Sequence, residues 1–404
     1  MSFRLSCFSC LIVSIVASLA STSVDAQEAM LTELVNQVVD VRLQDNEQYT
    51  DCTIVRAEAG KLEGSIKNLK IQLAGTEKTR AISLRKVVEI FVDGQPLDVT
   101  FERKARCLIR SAEKRQARLD WEADVNAKLA GQRRHLWQPL TAAEHEKFMD
   151  VHRKFLKKTE AELSHIKFRY IETQYFMFLT DLSPEEVDGL LVYLDAMYSE
   201  LCKAFGVPPT QNIWCGKCVV VAFRDKEDYT QFERVMMNFD ATGSQGLCHS
   251  FGDGKVIFAG YQGRSGFPNV LVHETTHGFI HRYLSNADIP SWLNEGMSDW
   301  MGHEIVQSER VPRRRKAAAD RVAQQGTLGN FFEASPIQGD DYGVASAMVE
   351  ILIQRDRGNG KFKEFFDGIK LGKAPEQSMK DSFGLTYQEL TIIYAQAIGM
   401  NSIR

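Results

Sequence analysis

Two apolar segments of this chain carry more polar groups than a buried helix tolerates without partners, and that limits how the chain can fold. The first reads Val270-Leu271-Val272-His273-Glu274-Thr275-Thr276-His277-Gly278-Phe279-Ile280. Its apolar flanks predict a largely buried helix, capped at Asn269 after Pro268, and buried histidines require partners. A spacing of four puts His273 and His277 on one helical face, where both imidazoles can reach one metal ion. Glu274 lies beside them, placed to polarise a water. The second reads Ser291-Trp292-Leu293-Asn294-Glu295-Gly296-Met297-Ser298-Asp299-Trp300. Pro290 turns the chain, Ser291 is the expected N-cap, and Glu295 and Asp299 share a face at i and i+4.

Zinc hydrolysis needs three protein ligands and one open position. His281 fails as the third ligand. Eight residues of straight helix separate it from His273 by ~12 Å, whereas Zn–N bonds are ~2.0–2.1 Å. Glu295 fits: 17 residues lie between it and His277, enough to end one helix, turn and begin another. Asp299 is then placed to take the free ring N–H of a ligand histidine, and Asn294 to hold backbone or a helix end.

The rest of the chain sets the context. It has 404 residues, 25% charged and 44% hydrophobic, with a net charge of -4. That is ordinary globular composition for two or three domains, and nothing in it points to nucleic acid. Arg4 precedes an apolar run from Leu11 to Ala20, followed by Val24-Asp25-Ala26. This predicts a signal peptide over 1–26, cleaved before Gln27, and export to a periplasmic or extracellular compartment. The run is half the ~20 residues a spanning helix needs, and no other segment is a candidate span. In an oxidising compartment the six remaining cysteines are expected to pair. The expected pairs are Cys218 with Cys248, Cys52 with Cys107, and Cys202 with Cys215. Cys215-Gly216-Lys217-Cys218 has the spacing of a redox motif, but a strand follows it where a helix should, so a structural role is expected.

Residues 27–104 alternate apolar and polar in short runs separated by turn signals, which predicts a small barrel-like β domain of about five strands. Residues 101–160 carry 15 Lys+Arg against 9 Asp+Glu. The segment 105–164 reads as a charged helical linker, with His145 and His152 on its surface. From 165 to 404 strands come first and helices after, an α+β order. One strand is expected over Tyr170–Leu179, a helix from Pro184 to Phe205 capped by Ser183, and strands at Cys218–Phe223 and Lys255–Tyr261.

His273–His277 followed by Asn294-Glu295-Gly296-Met297-Ser298-Asp299 resembles the gluzincin metallopeptidases, the thermolysin-like and aminopeptidase-like group. Trp292-Leu293-Asn294-Glu295-Gly296 resembles a segment common among its broader relatives. The specific part of the likeness covers residues 273–299, and a weaker likeness in element order extends over 165–404. The resemblance implies a zincin-like domain with a mixed sheet and an active-site helix, Zn2+ as cofactor and a polypeptide substrate. It also implies a residue that stabilises the tetrahedral intermediate, for which Tyr342 is the candidate, with His303 and His249 behind it. Aminopeptidases of this group carry a glutamate near the strand before the helix. Residues 241–272 contain none, which leans toward endopeptidase action. Two other readings remain open: a non-catalytic zinc-binding envelope scaffold, and a zinc hydrolase of a non-peptide amide. The sequence does not indicate an oligomeric state.

Overall fold

The computed structural model describes residues 31–403, apart from 45–46, 93–94, 133, 209–210 and 264–265. The expected signal peptide lies outside the described residues, as do Asp45-Asn46 and Asp93-Gly94, two of the sequence's turn signals. The protein is α+β and divides into two compact units, one up to Asp120 and one from Trp121 to Arg404. Among the described residues, no helix is long and apolar enough to cross a membrane.

The first unit contains eight strands where about five were expected: β1 (Val38–Leu43), β2 (Gln48–Ala59), β3 (Ile66–Gln72), β4 (Thr79–Ile82), β5 (Val87–Val92), β6 (Gln95–Pro96), β7 (Val99–Glu102) and β8 (Cys107–Arg110). They form one sheet in the order β6-β5-β1-β2-β3-β8-β7, with β4 beside β3. β5 also approaches β7, so the sheet curls into a nearly closed barrel. Alternation drives it: Val39, Val41 and Leu43 of β1 and Leu69 and Ile71 of β3 point into the core. α1 (Ala112–Ala130) begins in this unit, where Lys114 donates to the carbonyls of Val88 and Val99.

In the second unit, α2 (Ala142–Glu162) precedes a hairpin of β9 (Arg169–Glu172) and β10 (Phe176–Thr180), where one continuous strand was expected. α3 (Pro184–Phe205) follows. It is capped as expected by Ser183, which forms a capping box with Glu186. Then come β11 (Cys218–Phe223), α4 (Lys226–Phe232) with a π-helical turn at Glu233–Met237, β12 (Gly246–Ser250), β13 (Val256–Tyr261), α5 (Phe267–Arg282), α6 (Ser291–Val306), α7 (Arg310–Gln325), α8 (Asp341–Asp356), α9 (Lys361–Lys370), α10 (Pro375–Phe383) and α11 (Tyr387–Ala397). The sheet order is β12-β13-β11-β10-β9. β10, β11 and β13 are parallel, and the edge strands β9 and β12 are antiparallel to their neighbours.

The central strands are buried on both faces, which explains their near-continuous apolar runs. One face, with Phe176, Phe178, Val220 and Phe258, packs in the main core with α3, α5 and α6. The other, with Met177, Leu179, Val219 and Val221, packs against Met149 and Leu156 of α2. α2 is therefore a packed layer of this unit, where a solvated linker was expected. His152 is buried and its Nε2 lies 2.8 Å from the Cys215 carbonyl; His145 is half-buried and accepts the Gly216 N–H at 3.3 Å. Burial pushes both pKa values down. Neither is a surface histidine.

The expected disulfides are not formed, and all six cysteines are free. β13 lies between Cys218 on β11 and Cys248 on β12. Two ~4.8 Å strand spacings exceed the ~7 Å limit for bridged Cα atoms. Cys52 neighbours Thr53, which pairs with Gln72, whereas Cys107 neighbours Leu108, which pairs with Ile66 at the opposite end of β3. Cys202 lies in α3 beside Tyr198, and the Cys215 thiol meets the Asp253 carbonyl at 3.6 Å.

α6 and α8 meet at Gly296, where a Cβ would lie 2.6 Å from the Ala345 carbonyl oxygen. Backbone cannot swing aside, so the clash outweighs the ~1 kcal/mol of helix propensity that alanine gains. Gly296→Ala is expected to cost about 1–3 kcal/mol, read as a lower urea midpoint in chelated protein. An unchanged midpoint would show that this contact does not set the α6–α8 spacing.

Candidate metal centre

α5 begins after Gly266, which adopts φ 85°, with Pro268 in its first turn. Asn269 is not its cap: it lies inside the helix, 1% exposed, with Nδ2 unpartnered and close to Gly302. Thr275 and Thr276 are buried between the histidines, and their hydroxyls donate to the Leu271 and Val272 carbonyls at 2.6 and 2.7 Å. Gly278 brings the helix hard against the sheet: a Cβ there would lie 2.5 Å from Val256 and 3.2 Å from the Cys248 sulfur. This close approach lets the Cys248 N–H of edge strand β12 donate to Glu274 at 3.1 Å. α6 starts at Ser291 itself, with Pro290 at the cap position, one residue earlier than a Ser291 cap requires. The Ser291 hydroxyl accepts the Ile337 N–H.

Among the described residues, His273, His277 and Glu295 form a group that could hold a metal ion, with ligand atoms all within 4.8 Å of one another. The two Nε2 atoms are 3.2 Å apart. Glu295 Oε2 lies 3.3 Å from His273 Nε2 and 3.4 Å from His277 Nε2. Three donors at bond lengths of ~2.0–2.2 Å in tetrahedral directions stand about 3.3–3.5 Å apart. The spacing therefore fits one small cation shared by all three.

The opposite ring edges are held. His273 Nδ1 donates to Asp299 Oδ1 at 2.9 Å. His277 Nδ1 lies 3.0 Å from Asn294 Oδ1 and 3.1 Å from Ser298 Oγ. With Nδ1 protonated, each Nε2 keeps its lone pair for the shared point. Asn294 thus meets His277 directly, where backbone or a helix end was expected. Asp299 is 1% exposed and also accepts from Arg314 Nη1 at 2.9 and 3.1 Å. Ser298 and Arg314 were not anticipated. The signal for Arg314 was present: a buried carboxylate needs a cation, and Arg310–Lys316 is the basic run that follows.

Electrostatics match the packing. Burial opposes the charged form of His273, but hydrogen bonds and charge from Asp299 and Glu295 outweigh it and push its pKa up to about 10. His277 is raised for a like reason, with Glu295 outweighing burial. Glu295 is held well below the usual carboxylate range; burial opposes this, and the two histidines override it.

Tyr342 lies in the first turn of α8, its ring 5.2 Å from the Arg314 guanidinium carbon. Burial, then the Glu295 charge, pushes its hydroxyl up to about 12. His281 points elsewhere, with Nε2 3.3 Å from the Phe251 carbonyl, and burial lowers its pKa to about 4. His249 pairs with buried Glu233 at 2.9 Å, and His303 Nδ1 faces the Ser308 carbonyl at 3.3 Å. No protein-family model matches the chain, and no curated protein matches its sequence.

In the metal-free protein the His273 pKa stands above its ordinary value of 6.5. Its stabilising contribution is fully present below pH 6.5 and is lost as pH rises through about 10. A metal must displace that proton. Metal uptake near pH 7.5 is therefore expected to release about one proton or more, measured by calorimetry in buffers of different ionisation enthalpy. The Tm gap between loaded and chelated protein should widen from pH 6.5 to 9. Uptake without proton release would contradict this account.

Proposed function

We propose that the chain is an exported zinc-dependent peptidase of the gluzincin type, its zincin-like domain lying within the second unit. The observation that carries the proposal is the convergence of His273 Nε2, His277 Nε2 and Glu295 Oε2 at 3.2–3.4 Å, with Glu274 alongside and Asp299 behind. Zinc is the cation this donor set suits, two imidazoles and one carboxylate. Export rests on the leader-like residues 1–26.

When bound, zinc would supply Lewis acidity to a carbonyl and lower the pKa of a nearby water. The remaining roles fall to the chain itself. Glu274 would take a proton from the attacking water and return it to the departing amine. The Cys248 N–H fixes one oxygen of that carboxylate and leaves the other to act. The Tyr342 hydroxyl, kept protonated by burial and by Glu295, is available to donate to a developing oxyanion.

An extended peptide suits the edge of the sheet. β13, the strand that precedes α5 in sequence, is flanked on both sides and has no free edge. β12 is the edge, and its outward Cys248 N–H points at Glu274. Asp253, the acid nearest an amine-anchoring position in sequence, is paired with Lys255 at 3.1 Å. That favours cleavage within a chain over removal of an N-terminal residue.

The test is zinc content together with hydrolysis of a casein-type substrate. Glu274→Gln is expected to keep its zinc and lose at least about a hundredfold in kcat, the scale of general-base catalysis. Native protein that takes up no zinc would sink the proposal. Zinc retained with no hydrolysis by wild type would favour a binding scaffold. Tyr342→Phe is expected to lower kcat about a hundredfold with KM little changed, as for loss of one oxyanion donor. An unchanged kcat would remove Tyr342 from the reaction.

A further inference from the structure

The basic run at the start of α7 is only partly consumed by the fold. Arg314 binds Asp299, Arg315 reaches Ser346 and Glu350, and Lys316 pairs with Asp320. Arg310, the first residue of α7, is exposed and makes no hydrogen bond or ion pair among the described residues. It stands one turn before Arg314, and residues four apart share a helix face. That face is the one turned to the metal centre, because Arg314 lies against both Asp299 and the Tyr342 ring. Partial burial and the Arg314 charge lower the Arg310 pKa, while Asp299, Glu274 and Tyr342 act in the opposite direction. Those three residues belong to α6, α5 and α8, so Arg310 lies within the field of three walls of the site.

We infer that Arg310 is a specificity-determining residue that binds a substrate carboxylate close to the bond being cut. The inference rests on the peptidase reading above. Arg314 is neutralised by a buried partner, which leaves Arg310 as the uncommitted guanidinium on this face. A guanidinium matches a carboxylate through two parallel N–H donors. In a peptide that carboxylate is either the free C-terminus or an Asp or Glu side chain.

The test uses the full chain loaded with zinc and three quenched peptides of one sequence. One ends in a free carboxylate shortly after the scissile bond, one is amidated there, and one is amidated with glutamate at that position. Wild type should prefer one or both acidic peptides over the neutral one. Arg310→Gln should lower kcat/KM on the preferred acidic peptide about ten- to a hundredfold, mostly through KM. The neutral peptide should change less than about twofold. Arg313→Gln removes the same charge from an exposed neighbour and should leave all three unchanged. Preference for the free carboxylate would identify chain ends as the source, and preference for the glutamate peptide a side chain. Equal rates on all three in wild type, or an equal loss on all three in Arg310→Gln, would overturn the inference. If wild type cleaves none of them, the peptidase reading fails. Anisotropy with the same labelled peptides then decides the inference: acidic peptides should bind at least tenfold tighter to wild type than to Arg310→Gln, and equal binding overturns it.

Discussion

A carboxylate as deeply buried as that of Asp299 stays ionised only where donors replace its lost water, and the second unit is arranged around meeting that requirement. Its donors are His273 on α5 and Arg314 on α7, while Asp299 itself belongs to α6. One ionised group thereby ties three helices together. The same contact fixes which nitrogen of His273 carries a proton, and so which lone pair faces Glu295. It also holds Arg314 near Tyr342 and sets the orientation of the α7 face that carries Arg310. Removing the carboxylate would leave an imidazole and a guanidinium without their shared partner, so the cost would reach beyond the metal centre.

The sheet supplies the opposing wall. Without a side chain at Gly278, α5 lies close enough to β12 and β13 for Glu274 to meet the Cys248 N–H. The far end of α5 is clamped by the segment between α1 and α2. Trp137 donates its ring N–H to the His281 carbonyl at 2.7 Å, and its ring lies 4.4 Å from the Arg282 guanidinium carbon. Arg282 in turn donates to the Ile213 carbonyl at 2.9 Å. His281, unsuitable as a ligand because of helix rise, thus marks the anchored end of the helix. The ligand pair sits one and two turns before it, where the backbone has little freedom to drift.

How much of this was legible in the sequence follows from how local each cause is. The two motif helices could be read because their polar groups recur at helical spacing inside apolar runs, and Glu295 and Asp299 followed from geometry alone. The α3 cap was equally local, since Ser183 and Glu186 carry its whole signature. β12 was missed because Gly246-Leu247-Cys248-His249-Ser250 has little apolar alternation; it is a strand because β13 pairs with it. α2 looked like a solvated linker because its charges outnumber the few residues, Met149 and Leu156 among them, that reach the sheet. The cysteine pairings failed because they depend on strand order, and no local signal reports that β13 falls between Cys218 and Cys248.

Charge explains how such a site can exist folded before a metal binds. Glu274, Glu295 and Asp299 bring three carboxylates around two imidazoles, and Arg314 offsets one of them. The remaining negative charge raises the proton affinity of His273 until the ring itself supplies a cation. A proton thus holds part of the place that a divalent ion would take, while Asp299 and Asn294 keep both rings oriented. Metal uptake would then be an exchange of protons for a cation within a framework already built, unlike small zinc domains whose folding waits for the ion. The framework, not the metal, carries the positional accuracy, and the dense packing of α5 against the sheet and of α6 against α8 provides it.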